Sequence, residues 1–129
     1  MFILSISAFS QTPESLTYRF IARDQSENLL ANKEILLVVF LSENDPEGKA
    51  IYQENHRVLT DEEAMVRIKI GDGNSNQDFS ELVIDPESEY YLNINGVDPK
   101  SNRTLFEREV QVFILPTGIY AGSINDLAD

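Results

Sequence analysis

The sequence has no cysteine, a single histidine, and only 10 lysines and arginines against 22 aspartates and glutamates. Each shortage removes a class of chemistry. Without cysteine there is no disulfide framework, no thiolate metal site and no cysteine nucleophile. With His56 alone, a zinc centre built on two or three imidazoles cannot form. A Ser-His-Asp arrangement would have to be assembled around His56, and the chain has no Gly-x-Ser-x-Gly elbow to carry the serine. The formal net charge of −12 repels phosphate backbones and anionic headgroups, which argues against nucleic acid and membrane surfaces as partners. Its plainest consequence is solubility, and a sharper one is a field that collects Ca²⁺ or a basic partner. No apolar run approaches the roughly 20 residues of a membrane span. Gly71-x-Gly73 lacks both the third glycine and the following helix of a phosphate cradle.

What is abundant is strand chemistry. Apolar residues make up 42% of the 129 residues, enough for one core, and β-branched and aromatic types are prominent among them. Leu16, Tyr18, Phe20 and Ala22 alternate with polar residues. Val66, Ile68 and Ile70 do so against Arg67 and Lys69, and Tyr90, Leu92 and Ile94 against Tyr91, Asn93 and Asn95. The dense run from Ile35 to Leu41 predicts a central strand covered on both faces. Ile51 to Leu59 alternates with two mixed faces, and His56 is read as a strand-face side chain. Arg103 to Leu115 predicts a last long strand, with Val110, Val112 and Ile114 on one face, stopping at Pro116. Asn44-Asp45-Pro46-Glu47-Gly48, and Asn95-Gly96 with Asp98-Pro99, carry turn chemistry. A short helical turn near Phe79–Val83 is the one helical candidate. The expected fold is all-β, a sandwich or barrel of six or seven strands rather than βαβ units.

Three regions follow. Residues 1–10 are apolar and small, with Ala8 and Ser10 at the −3 and −1 positions of a cleavage before Gln11, and read as a signal peptide lacking its basic start. Residues 11–116 form the sandwich, and residues 117–129 a linker toward a further C-terminal region. The expected location is secreted or cell-surface.

For ligand chemistry, the loop after Ile70 places oxygen donors at alternate positions, Asp72, Asn74, Asn76 and Asp78, as the first half of a calcium loop does. An EF-hand would need glycine and glutamate where Gln77 and Val83 stand. A looser Ca²⁺ site is the candidate, and a turn whose side chains cap their own backbone is the alternative. Carboxylate pairs are Glu62 with Glu63, Glu81 with Asp85, and Glu107 with Glu109. The last pair shares a strand face at about 7 Å, near the spacing of inverting glycosidases, but on a solvated face it lacks the burial that raises a pKa.

Several segments also resemble a known family. Thr17-Tyr18-Arg19-Phe20-Ile21-Ala22-Arg23-Asp24 with Asn28-Leu29-Leu30-Ala31-Asn32 is similar to the Y-x-x-x-A-R-D-x-x-G-N-L-L-x-N opening of an N-terminal domain. That domain is found on secreted tail-fibre-like and adhesin-like proteins of Bacteroidetes. Ala50 to His56, Thr60-Asp61 with Val66 to Gly71, Asp78-Phe79-Ser80, and Gln111 to Pro116 with Tyr120-Ala121 resemble its later motifs, so the resemblance covers nearly all of residues 12–121, and Ser123 to Asp129 resembles the segment leading into fibre repeats. Glu27 and Ala64 stand where the family has turn glycines, which predicts different turn geometry there, and Thr117-Gly118 replaces a Tyr-Ala. The resemblance implies an antiparallel Greek-key or Ig-like (prealbumin-like) β-sandwich of about seven strands, serving as a non-catalytic structural or interaction module of a fibre-like surface protein. Its partners would be proteins or further copies of itself, met through an edge strand or the Phe113/Leu115 face. A stand-alone carbohydrate- or calcium-linked binding module, using Tyr91 and the loop after Ile70, is the alternative. A glycoside hydrolase is the third reading.

Overall fold

The computed structural model describes residues 16–115 and 118–122, with side chains described as far as Val112. Seven strands occur among them: β1 (Leu16–Ile21), β2 (Glu34–Glu43), β3 (Ala50–Leu59), β4 (Met65–Ile70), β5 (Tyr90–Val97), β6 (Thr104–Leu115) and β7 (Gly118–Gly122). The one helical piece described is a 3₁₀ turn at Phe79–Glu81, inside the stretch expected to turn. The expected all-β sandwich is the fold observed.

Two antiparallel sheets face each other. One is the pair β1-β4, and the other has the order β3-β2-β5-β6-β7. The chain leaves β3 for β4 in the small sheet and returns as β5 beside β2, so the spatial order β5-β2-β3-β4 is a Greek key. Alternation decides which face is inside. Leu16, Tyr18 and Phe20 of β1 and Val66, Ile68 and Ile70 of β4 are buried against Ile35, Leu37, Val39 and Leu41 of β2 and Tyr90, Leu92 and Ile94 of β5. Each of these large side chains contributes roughly 1.5–3 kcal/mol by leaving water.

Asn95-Gly96, read as turn residues, lie inside β5, and the structure departs from the sequence reading in three further places. The dense β2 run is fully covered on one face only. On the outer face Leu36, Val38 and Phe40 are half-buried, flanked in register by Arg57, Asn55 and Gln53 of β3 and by Val97, Asn95 and Asn93 of β5. Beside these neighbours the apolar row is partly covered and not enclosed.

The domain also runs beyond residue 116. β7 pairs with β6 from Leu115↔Gly118 to Gln111↔Gly122, so residues 118–122 belong to the large sheet and not to a linker. A five-residue strand bounded by glycines is too short to show a period of two. Residues 1–10, read as a signal, and residues 123–129 lie outside the described residues.

Thirdly, Glu27 and Ala64 keep the left-handed backbone that glycine favours, at φ 70° and 62°. Neighbouring aspartates impose it. Asp24 accepts the amides of Ser26 and Asn28, and Asp61 those of Glu63 and Met65, at 2.8–2.9 Å. The two turns meet: Ala22 N–H donates to Ala64 O, and the Thr60 hydroxyl donates to Leu30 O.

Candidate functional site

Pairing β3 with β2 places Tyr52, Glu54, His56 and Val58 opposite Leu41, Val39, Leu37 and Ile35, and so on the inward face. This is why the strand looked mixed in sequence: its inner row carries Glu54 and His56 between Tyr52 and Val58. The Glu54 side chain is 0% exposed and that of His56 13%. Both Glu54 oxygens are occupied. Oε1 accepts the Tyr52 hydroxyl at 2.5 Å and the Gly71 amide at 2.8 Å, and Oε2 pairs with His56 Nε2. Phe79 stands edge-on to the Tyr52 ring at 5.0 Å.

Burial alone would push the Glu54 carboxyl up. The bonds from His56, Tyr52 and the Gly71 amide outweigh it, leaving the pKa below the ordinary glutamate value. Tyr52 moves the other way: burial, then its bond to Glu54, push its phenol up to about 12.

The loop after β4 closes over this cluster and runs along the free edge of β3. Asn74 and Asn55 exchange two backbone hydrogen bonds, the Ser75 hydroxyl donates to Gln53 O, and Gln77 Nε2 donates to Ile51 O. These bonds satisfy an edge that would otherwise present unpaired backbone groups. Gly73 makes the approach feasible, because a Cβ there would lie 2.6 Å from His56 Nε2 and 2.8 Å from Asn55 O.

The four predicted calcium donors each have different surroundings. Asp72 is exposed and lies 4.0 Å from Lys69 Nζ. Asn74 serves through its backbone. Asn76 lines a polar cavity of about 220 Å³ between the loop and β3, beside Gln53, Glu54, Asn55, Asn74, Ser75 and Gln77. Asp78 caps the 3₁₀ turn, accepting the Ser80 amide at 3.0 Å and its hydroxyl at 2.7 Å. Among the described residues no three or more His, Cys, Asp or Glu side chains gather in a way that could hold a metal ion. Asn55 Oδ1, next to the cavity, is buried without a partner. Glu107 and Glu109 are exposed on the outer face of β6, and Glu62, Glu63, Glu81 and Asp85 are exposed on loops and the 3₁₀ turn. Tyr91 is half-buried and donates to Glu89.

A second concavity, of about 740 Å³, opens between β1 and the first half of β6. Its floor is aromatic: Phe20 and Phe106 meet edge to face at 5.7 Å, and Tyr18 stacks on Phe20 at 5.5 Å. Arg108 spans the rings, donating to Tyr18 Oη at 3.0 Å with its guanidinium 4.9 Å from the Phe20 centroid. Phe106 in turn rests on Gly96, where a Cβ would come within 2.3 Å of the ring.

The sequence reading passed over Glu54 and Arg108. The signal for Glu54 was the spacing Tyr52-x-Glu54-x-His56, three hydrogen-bonding side chains on one strand face. Arg108 had no local signal, since its aromatic partners lie some 90 residues earlier. No family model matches the sequence, and neither a curated protein nor a solved structure matches it. Among the described residues no helix is long and apolar enough to cross a membrane.

Proposed function

We propose that this chain is a non-catalytic structural or interaction module of an exported fibre-like or adhesin-like surface protein. One observation carries the reading. Glu54, a carboxylate enclosed by the fold, spends both oxygens on Tyr52, His56 and the Gly71 amide, and has none left to face a substrate. The cluster ties the loop after β4 to β3, and so acts as an internal strut. The resemblance of residues 12–121 to secreted Bacteroidetes fibre-like proteins supplies the biological setting. The outer face of the large sheet suits a wet protein contact, with half-buried Leu36, Val38 and Phe40 among amide and charged neighbours.

Two variants of the whole protein, expressed in a Bacteroidetes host, test the proposal. Deleting residues 16–122 should abolish surface assembly, whereas Glu54→Gln, at a temperature where it stays folded, should assemble normally. A folded Glu54→Gln protein with the deletion phenotype would point to catalysis, and a protein retained in the cytoplasm would contradict export.

The amide-lined cavity and its unpartnered Asn55 Oδ1 favour the second reading, a carbohydrate- or calcium-linked binding module. A calcium-dependent rise in melting temperature, lost in Asp72→Ala/Asp78→Ala, would support it.

A further inference from the structure

We propose that the outer face of the small sheet docks on the outer face of the large sheet of a second copy of this chain, so that copies stack head to tail. The small-sheet face is built of register pairs. Thr17 stands opposite Lys69, Arg19 opposite Arg67 and Ile21 opposite Met65, and an isolated bridge continues the row with Arg23 opposite Leu29. Residues directly opposite each other share a face. The alternate rows of β1 and β4 are the buried ones, so the first three pairs point away from the core. Of these eight residues four are cations and none is a carboxylate, in a chain with 22 acids and 10 bases. All four cations are exposed, and so are Met65 and Leu29 among them. Arg19 facing Arg67 gains the isolated domain nothing, since like charges directly opposite destabilise a strand pair. Among the described residues the one ion pair these cations make is that of Lys69 with Asp72, at 4.0 Å.

The other side of the sandwich carries the complement. On the outer face of the large sheet, β2, β5 and β6 align Val38, Asn95 and Glu107 in one row and Phe40, Asn93 and Glu109 in the next. Half-buried Leu36, Val38 and Phe40 form an apolar stripe, and exposed Glu107 and Glu109 stand to one side of it. Arg57, opposite Leu36, is already paired with Glu34. Two molecules of net charge −12 repel at long range, but at physiological salt the Debye length is about 8 Å, so contact pairs outlast that repulsion. Because the two faces differ, the contact is heterologous. Each stack keeps one free face of each kind, and growth continues without closing. A face two strands wide is small, which sets each contact among the weak, concentration-dependent ones.

The proposal rests on the interaction-module reading and names its partner, but needs neither export nor the fibre-like setting. Sedimentation velocity of the purified full chain, up to about 1 mM, tests it with two variants at exposed positions, Arg19→Gln/Arg67→Gln and Glu107→Gln/Glu109→Gln. The wild-type chain should grow past the dimer as concentration rises, and return toward monomer at about 1 M salt, where the Debye length is about 3 Å. Each variant alone should lose this growth. Their equimolar mixture should form dimers and stop there, since one intact face of each kind remains. Arg19→Gln/Arg67→Gln should melt no lower than the wild type, which separates lost association from lost folding. Association that both variants retain, or that ends in a symmetric dimer, would overturn the proposal. A wild-type chain that stays monomeric would also overturn it, and retention of that monomer on heparin would assign the basic face to an anionic polysaccharide instead. A monomeric chain that still supports surface assembly would sink this contact and leave the module reading standing.

Discussion

Six aspartates, Asp24, Asp45, Asp61, Asp78, Asp85 and Asp98, each accept the backbone amide two residues on. Part of the acidity is thus turn chemistry, with carboxylates chosen because they fold back on their own backbone. At two of these turns the third residue after the aspartate is left-handed without being glycine. An L-residue there costs about 1–2 kcal/mol, against roughly 0.5–1 kcal/mol for the extra freedom of glycine in the unfolded chain. Glu27→Gly should therefore raise stability by about 0.5 kcal/mol in urea denaturation, and a loss would mean that the Glu27 side chain itself stabilises the turn. Ala64 is a poorer target, because its methyl is fully buried and its loss offsets the gain. The aspartates were visible in the sequence as turn residues. The left-handed backbone at Glu27 and Ala64 was not, because the side chains that impose it lie three residues away.

Strands were legible in proportion to the regularity of their inner rows. β1, β4 and β5 bury every second residue, so alternation located them. β3 was harder to read, because Glu54 and His56 occupy inward positions that sequence patterning reserves for apolar groups. Their burial depends on a loop about 17 residues later, and that distance hid the candidate site. The same loop is the element whose integrity can be tested by itself. Gly73→Ala places a methyl against the Asn55 carbonyl and the Glu54–His56 pair. It should cost about 1–3 kcal/mol and expose the Asn55 and Asn74 amides to exchange. Unchanged protection at both would show that the loop is not held to β3 in this way. Gly96→Ala should act similarly at the other end of the core, by displacing the Phe106 ring, with loss of melting temperature as the readout.

At the scale of the whole molecule, a net charge of −12 sets up self-repulsion that the fold must outweigh, and the buried charge lies at one end of its core. Among the described residues, Asp24, Glu54 and Asp98 all have lowered pKa values. For Asp24 the cause is first the Asn28 amide, and for Asp98 first the Lys100 amide, so each is bound more tightly as a carboxylate when folded. Such groups contribute stability that is present above the unfolded-state pKa and is lost as pH falls through the folded one. The domain should accordingly weaken below about pH 4, with no comparable loss near neutrality from these three groups.

The central claim is that Glu54 is a strut held ionised by its partners. The most direct measurement is urea denaturation of the wild-type chain and Glu54→Gln from pH 7 down to pH 3, a comparison in which Asp24 and Asp98 cancel. A gap of about 2 kcal/mol at neutral pH is expected, closing as pH falls through the lowered Glu54 pKa. A Glu54→Gln chain as stable as wild type at pH 7, or a gap that stays constant with pH, would contradict the claim.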